Sequence, residues 1–233
     1  MSPADWQLSP PVGIINLMSG VQPTNQPINQ STISPLSSAH AADAARLHIL
    51  GQPGTFLTAL GADVLTVFYR TLPVSPVGYG YTALDENGRV LGFAAVTTST
   101  GRLFVEMGTL RLGQLLPPLL ARFARCPSLI LRSAQTLLYP MLAGDRERGA
   151  GPHAELLAIM TEPALRSQGI GAALLTAVCA ECRSRGITEL TVTVDAANAG
   201  ARRFYERHAF VYGKEFSLYT RAMVLYTREL LSL

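Results

Sequence analysis

A glycine-bearing stretch in the second half of the chain has the residue types of an anion-binding turn. It lies between an apolar run typical of a strand and an apolar-periodic run typical of a helix, and it reads Arg166-Ser167-Gln168-Gly169-Ile170-Gly171-Ala172. The first turn of a helix leaves four backbone N–H groups without intrahelical partners and carries roughly half a positive charge. Glycine lets a phosphate approach that backbone without meeting a Cβ atom. The stretch therefore predicts a site for a phosphate-bearing ligand.

Two common phosphate motifs do not fit this stretch. The dinucleotide fingerprint needs a third glycine where this chain has Leu174, and no Gly-Lys-Ser/Thr follows as in a P-loop. What remains is an R-x-x-G-x-G/A pattern with Pro163 upstream, followed further along by Asn198, Phe204-Tyr205-Glu206 and Ala209-Phe210. A nucleotide-binding α/β protein of another kind remains an alternative at this point.

Alternating strands and helices position the turn. The last third of the chain predicts strand, helix, strand, helix and a closing antiparallel pair at residues 154–161, 171–185, 190–194, 197–207, and 210–218 with 223–227. Gly186 marks the end of the first helix. A right-handed crossover through that helix makes the first two strands roughly parallel, so this order predicts an α/β fold.

The first part of the chain predicts a strand, two helices and a hairpin at residues 32–36, 41–50, 55–71, and 80–84 with 90–97. Asn87-Gly88 is a strong hairpin-turn signal. Leucines at helical spacing around Pro117-Pro118 and Pro127 predict a helical insertion of two amphipathic helices over residues 109–140. These helices are plain core or, alternatively, a lid or a dimer contact. Residues 143–152, with three glycines, predict a loop.

Length and composition indicate one large globular domain. The chain has 233 residues, of which 48% are hydrophobic and 15% charged, enough for a substantial core. Residues 1–30, rich in Pro, Gln, Asn, Ser and Thr, predict a flexible N-terminal arm or, alternatively, a segment that docks through Trp6, so the domain is expected over residues 31–233. With no membrane-length apolar run and no secretory signal visible, we expect a cytoplasmic protein that does not interact with membranes.

The cysteine content and the net charge narrow the class of protein further. The three cysteines, Cys126, Cys179 and Cys182, argue against a disulfide-stapled secreted fold. The C-x-x-C spacing of the last two lies inside a helical pattern, and no second pair follows at zinc-finger spacing, so we expect no metal. The net charge is +3, and the basic residues are scattered over the predicted helices and form no long run. This charge weakly favours anionic ligands and does not indicate binding to nucleic acid.

The glycine turn, Pro163 and the Asn198, Phe204-Tyr205-Glu206 and Ala209-Phe210 residues together resemble the GNAT superfamily of acyl-CoA-dependent N-acyltransferases. The resemblance is specific from Glu155 to Phe210. It implies an α/β (α+β) fold with a mixed, mostly antiparallel six- to seven-stranded sheet, splayed at its centre and flanked by helices, with the helical insertion between the third and fourth strands. It also implies acetyl-CoA as the acyl donor.

The resemblance further implies which residues bind the donor. Backbone groups of Ile159, Met160 and Thr161 would pair with the pantetheine arm. Arg166 and the backbone N–H groups of the turn would hold the diphosphate, namely those of Ser167, Gln168, Gly169, Ile170, Gly171 and Ala172. Asn198 and Tyr205 are seven residues apart and so point along one side of a helix. By the resemblance Asn198 binds the pantetheine and Tyr205 protonates the departing thiolate; alternatively they are a residue at a helix start and a core aromatic.

Amine acylation needs a neutral amine and therefore benefits from a base. Glu155 is at the strand position that resembles the glutamate base of the histone-modifying branch; alternatively it faces solvent. The function implied is transfer of an acetyl group from acetyl-CoA to a primary amine of a small molecule or peptide by direct attack. A catalytically silent acyl-CoA-binding or regulatory module is the alternative. The apolar residues of the N-terminal arm and of the insertion make a homodimer plausible.

One position departs from the family pattern. Ala209 stands where a glycine usually closes the helix that carries Tyr205. If its backbone is left-handed, a non-glycine residue there costs on the order of 1 kcal/mol. His208 is placed to cap the carbonyls at this helix end.

Overall fold

The structure, a computed structural model, describes residues 31–130, 152–218 and 221–230. Its centre is a seven-stranded sheet in the order β1-β2-β3-β4-β5-β7-β6. The strands are β1 (Thr32–Pro35), β2 (Gly78–Leu84), β3 (Val90–Thr97), β4 (His153–Thr161), β5 (Glu189–Asp195), β6 (Val211–Leu218) and β7 (Arg221–Glu229). All neighbours pair antiparallel except β4 and β5. The expected mixed, mostly antiparallel sheet is confirmed.

Helices cover both faces of this sheet. They are α1 (Ala41–Gly51), α2 (Phe56–Leu60), α3 (Ala62–Thr71), α4 (Thr100–Leu110), α5 (Leu112–Arg125), α6 (Ile170–Ser184) and α7 (Ala199–Arg207). On one face Leu174 of α6 packs in a buried cluster with Leu156 and Leu190. On the other face Leu47 of α1 packs with Phe93. Helices α1, α3 and α6 bury their apolar sides against the sheet, as their periodicity predicts.

The two central strands separate soon after they meet. Strands β4 and β5 pair only where residues 153–155 lie beside residues 189–191. Just beyond, the register of β4 against β3 shifts, so that Leu157 is an extra residue between two paired neighbours. Such a bulge bends a strand and increases its twist. The expected splayed centre is thus present, with a gap between the distal halves of β4 and β5.

The second expected helix, residues 55–71, is wrong as a single element. It is two helices, α2 and α3, separated at Gly61, whose φ of +98° no helix accommodates. Thr55 caps α2 by accepting a hydrogen bond from the N–H of Thr58 at 3.4 Å. The hairpin turn before β3 agrees with its prediction, and Gly88 there has φ +76°.

Helices α4 and α5 form the insertion between β3 and β4, and the first of them begins already at Thr100. Pro117 and Pro118 lie inside α5 instead of interrupting it. Each proline lacks the N–H that would bond to the carbonyl four residues before it. The carbonyls left free are those of Gly113 and Gln114, which are exposed and can bond to water. The inner side of α5 packs Leu115 against α2 and α3, as core packing predicts. The arm over residues 1–30, the rest of the insertion and residues 143–151 lie outside the described residues.

Candidate active site

The gap between β4 and β5 opens into one large cleft with a volume of about 1910 Å³. Its walls are the α1–α2 connection, the start of α4, the open faces of β4, β5 and β7, the first turn of α6, and α7. Most of the residues that the sequence predicts for the site line this cleft. They are Glu155, Ile159, Met160, Thr161, Arg166, Ser167, Gly169, Ile170, Gly171, Ala172, Asn198 and Tyr205.

The turn before α6 presents its backbone N–H groups to the cleft. Ser167 and Gly169 have φ values of +64° and +86°, and this alternation folds the chain tightly into the helix. Within the described chain, no acceptor bonds to the backbone N–H groups of residues 167–172. Gln168 differs from its neighbours because its side chain turns away and donates to the carbonyl of Ala164 at 3.4 Å. The turn is therefore a cradle of free donors in which Gln168 can take part only through its backbone.

Strand β4 offers a free backbone edge to the cleft. The N–H of Glu162 donates to Leu91 of β3 at 2.8 Å. Because successive residues of a strand direct their backbone groups to opposite edges, Ile159 and Thr161 direct theirs into the gap. The side chain of Met160 packs on the sheet face that α1 covers. It lies so close to Gly51, the last residue of α1, that a Cβ atom added there would be 2.3 Å from the Met160 sulfur. Met160 thus shapes the α1 side of the cleft.

Helix α7 brings Asn198 and Tyr205 to the cleft. Asn198 is the N-cap, and its side-chain oxygen accepts from the N–H of Ala201 at 3.0 Å, which leaves the amide NH₂ available. Tyr205 is buried, and its ring packs edge-on against Phe210 with centroids 5.3 Å apart. Burial raises the pKa of Tyr205, so its hydroxyl stays protonated well above neutral pH. No hydrogen bond from that hydroxyl to another described residue is present, so Tyr205 is both a core aromatic and a cleft residue.

Glu155 occupies the last paired position before the strands separate. Its register partners are Thr97 on β3 and Thr191 on β5. The side chain is half-buried, and one carboxylate oxygen accepts from the hydroxyl of Thr100 at 2.6 Å. The carboxylate therefore lies at the apex of the gap, half-buried and held by Thr100, and it does not project fully into solvent.

Comparison with known proteins agrees with this geometry. The model of the acetyltransferase (GNAT) family matches residues 63–210, which is more than half of the chain. The chain belongs to this family. A mycothiol acetyltransferase from Thermobispora bispora is 39% identical over 64 residues, which are 28% of this chain and 22% of that protein. The chain thus spans about a fifth of the length of that relative.

Solved GNAT structures share the fold. An acetyltransferase from Desulfovibrio desulfuricans has a TM-score of 0.56 at 16% identity, covering 87% of this chain and 100% of that one. Ard1 from Thermoplasma volcanium has a TM-score of 0.54 at 16% identity, covering 87% of this chain and 99% of that one. Arabidopsis thaliana NAA60 in complex with acetyl-CoA has a TM-score of 0.55 at 13% identity, covering 86% of this chain and 99% of that one. At these identities the likeness concerns the fold alone.

The chain thus belongs to a family of acetyltransferases, and its structural neighbour NAA60 is in complex with acetyl-CoA. The cleft suits this molecule, since free N–H groups at a helix start match its diphosphate and an open strand edge matches its amide-bearing arm. Over the residues that the structure describes, no helix has the length and apolar character needed to cross a membrane.

Strand β5 forms one wall of the cleft that was not predicted from the sequence. Strand β5 reads Glu-Leu-Thr-Val-Thr-Val-Asp, and its buried positions pack under α6 while its polar positions line the cleft. The strict alternation was the available signal, because it places every second residue on one open face. Thr100, the partner of Glu155, carried no comparable signal, since it comes from another element.

Proposed function

We propose that this GNAT acyltransferase is an N-acetyltransferase that moves the acetyl group of acetyl-CoA to a primary amine of a small molecule or peptide by direct attack. One observation carries the proposal. A single cleft joins the free N–H groups before α6, the free edge of β4, Asn198, Tyr205 and Glu155. The protein groups that would bind the diphosphate, pair with the pantetheine amides and transfer protons thus lie along one path.

The donor would lie along this path with its diphosphate on the N–H groups of residues 167–172. Arg166, which lines the same cleft, would add a charge-assisted hydrogen bond. The pantetheine amides would extend the sheet by pairing with Ile159 and Thr161, and the free NH₂ of Asn198 would donate to a pantetheine carbonyl. The thioester then reaches the apex of the gap, where Glu155 lies.

The chemistry at the apex needs two proton transfers. Glu155 would take a proton from the acceptor ammonium, directly or through water, so that the neutral nitrogen attacks the thioester carbonyl. The C–N bond forms, the C–S bond breaks, and the hydroxyl of Tyr205 donates its proton to the departing sulfur. The nitrogen loses a second proton as the amide forms, and this proton restores the tyrosine through solvent, while Glu155 releases the first proton to solvent. Burial raises the pKa of Tyr205, so the hydroxyl carries its proton in the resting protein and has one to donate.

A thiol-release assay with polyamines, amino sugars, amino acids and peptide N-termini tests the proposal. The mycothiol acetyltransferase relative is a reason to include thiol-bearing small amines, although the match is short. We expect Tyr205→Phe and Glu155→Gln to lower kcat by about 10²- to 10⁴-fold while acetyl-CoA still binds. Tyr212→Phe, an exposed tyrosine on β6, and Glu86→Gln, on the hairpin turn, are matched controls. Tight acetyl-CoA binding without transfer to any acceptor would favour a silent binding module.

We also propose that the protein forms a homodimer through the outer side of α5. Leu112, Leu116 and Leu120 form an exposed row one turn apart, and this row flanks the buried side of α5 that carries Leu115. An apolar row on an exposed helix is typical of a contact with another chain.

A further inference from the structure

Helix α7 carries two cationic side chains that the donor site as described does not use. Arg203 and Arg207 are one turn apart, both are exposed, and both line the cleft. We call them the arginine row. In the described part of the chain neither has a carboxylate or hydrogen-bond partner, whereas Arg221 on the opposite wall is ion-paired with Asp195.

A neighbouring row on the same helix faces the phosphate turn. A Cβ added to Gly171, in the first turn of α6, would lie 3.4 Å from the ring of Phe204. The ring of His208 packs against that of Phe204 at a tilt of 40° with centroids 4.4 Å apart, and its Nδ1–H donates to the carbonyl of Phe204 at 2.7 Å. This aromatic row, Phe204 and His208, fixes α7 beside the N–H groups that receive the diphosphate.

Helix geometry then sets an order across α7. Each residue advances about 100° around the axis, so the aromatic row lies between two others. On one side of it are Asn198 and Tyr205, which the proposed function assigns to the pantetheine arm and the thiol. On the other side is the arginine row. Three adjacent sides of α7 therefore follow one another in a fixed order. The first is assigned to the thiol end of the donor, the second faces the diphosphate turn, and the third carries the arginine row.

Coenzyme A has the same order along its length, with a thiol, a diphosphate and then an adenosine that bears a 3′-phosphate. We propose that the arginine row binds this 3′-phosphate and makes the protein select coenzyme A over donors that lack it. The dianionic phosphate matches two guanidinium groups that present several donors each. The neighbouring carboxylate of Glu206 accepts from the hydroxyl of Tyr226 at 2.6 Å and is ion-paired with neither arginine. This inference rests on acetyl-CoA as the donor and is independent of which amine is acetylated.

Calorimetric titration of the full-length protein with coenzyme A and with dephospho-coenzyme A tests the inference. We expect the wild type to bind coenzyme A about tenfold more tightly, as one or two charge-assisted hydrogen bonds would give. In the Arg203→Gln/Arg207→Gln double variant the ratio should fall to near one, chiefly through weaker binding of coenzyme A. Arg183→Gln, an exposed arginine of α6 outside the cleft, should keep the wild-type ratio. Added salt should shrink the wild-type ratio because exposed charges are screened.

Three outcomes would overturn the inference. Equal affinities of the wild type for the two ligands would show that the 3′-phosphate is not recognised. A double variant with unchanged affinity for both ligands would assign recognition elsewhere, and one that weakens both ligands equally would place the arginines on the diphosphate. A donor site that binds neither ligand would also overturn the proposed function, which the other outcomes leave intact.

Discussion

The C-terminal end of α7 holds an alanine in a backbone conformation that favours glycine, and Ala209→Gly should therefore stabilise the fold. Ala209 is exposed and has φ +61°. The N–H of Phe210 donates to the carbonyl of Tyr205 at 3.0 Å, and that of Ala209 to the carbonyl of Glu206 at 3.2 Å. This is the Schellman arrangement, in which the left-handed position is usually glycine.

Helix α6 ends in the same way with the usual residue, which supplies a matched control. Gly186 has φ +71°, the N–H of Ile187 donates to Cys182 at 2.9 Å, and the N–H of Gly186 donates to Arg183 at 2.9 Å. A Cβ added to Gly186 would meet no atom within 4 Å. Backbone conformation alone therefore separates glycine from alanine at this position.

The magnitude follows from two opposing effects. A left-handed backbone costs an alanine about 1–2 kcal/mol. Glycine loses about 0.4–1 kcal/mol more chain entropy on folding than alanine does. The difference between the midpoints predicts that Ala209→Gly raises the free energy of unfolding by about 0.8 kcal/mol and that Gly186→Ala lowers it by a similar amount. No buried surface changes, because the methyl group of Ala209 is exposed.

Urea denaturation of both variants and of the double variant measures these free energies. We expect opposite shifts of the midpoint at unchanged slope, Tm changes of about 2–3 °C, and near cancellation in the double variant, whose two sites share no partner. A decrease in stability on Ala209→Gly, or a Gly186→Ala variant as stable as the wild type, would refute the conformational argument.

Three further predictions concern the cleft and the insertion. Gly169→Ala, at φ +86°, should cost about 1 kcal/mol of stability and weaken acetyl-CoA binding measured by calorimetry; lost stability with full affinity would separate the turn from the donor. Thr100→Val removes the 2.6 Å hydrogen bond to Glu155 and should lower kcat/KM by about tenfold in the thiol-release assay, and full activity would show that this contact does not orient the carboxylate. Leu116→Glu should convert a dimer to a monomer in sedimentation analysis without unfolding it, and an unchanged mass would contradict a contact through α5.

The parts of the fold that the sequence predicted well are those in which one local pattern decides the structure. Strand β5 alternates strictly, and its bounds exceed the expected residues 190–194 by a single position at each end. The α6 turn combined a glycine with a long apolar period, and Gly186 ended the helix where expected. Local propensity and tertiary packing agree at these places, so reading the chain was sufficient.

The parts that could not be predicted depend on contacts between distant segments. Gly61 splits a continuous apolar period, and periodicity alone does not distinguish a tolerated glycine from a break. Pro117 and Pro118 suggested an interruption, but the packing of Leu115 against α2 and α3 holds α5 together through them. The hydrogen bond between Thr100 and Glu155 joins residues that are 55 positions apart, and no local pattern carries that information.

The extra residue Leu157 explains why donor and acceptor can meet inside a continuous sheet. Up to Glu155 the side chains of β4 alternate regularly, with Ala154 and Leu156 packed under α6. Past the bulge the phase is reversed, because Ala158 now packs on the α1 face. The same residue therefore bends β4 away from β5 and leaves the carboxylate of Glu155 on the open face at the point of separation. A regular strand would continue to pair with β5 and would close the edge that the proposed function assigns to the pantetheine arm.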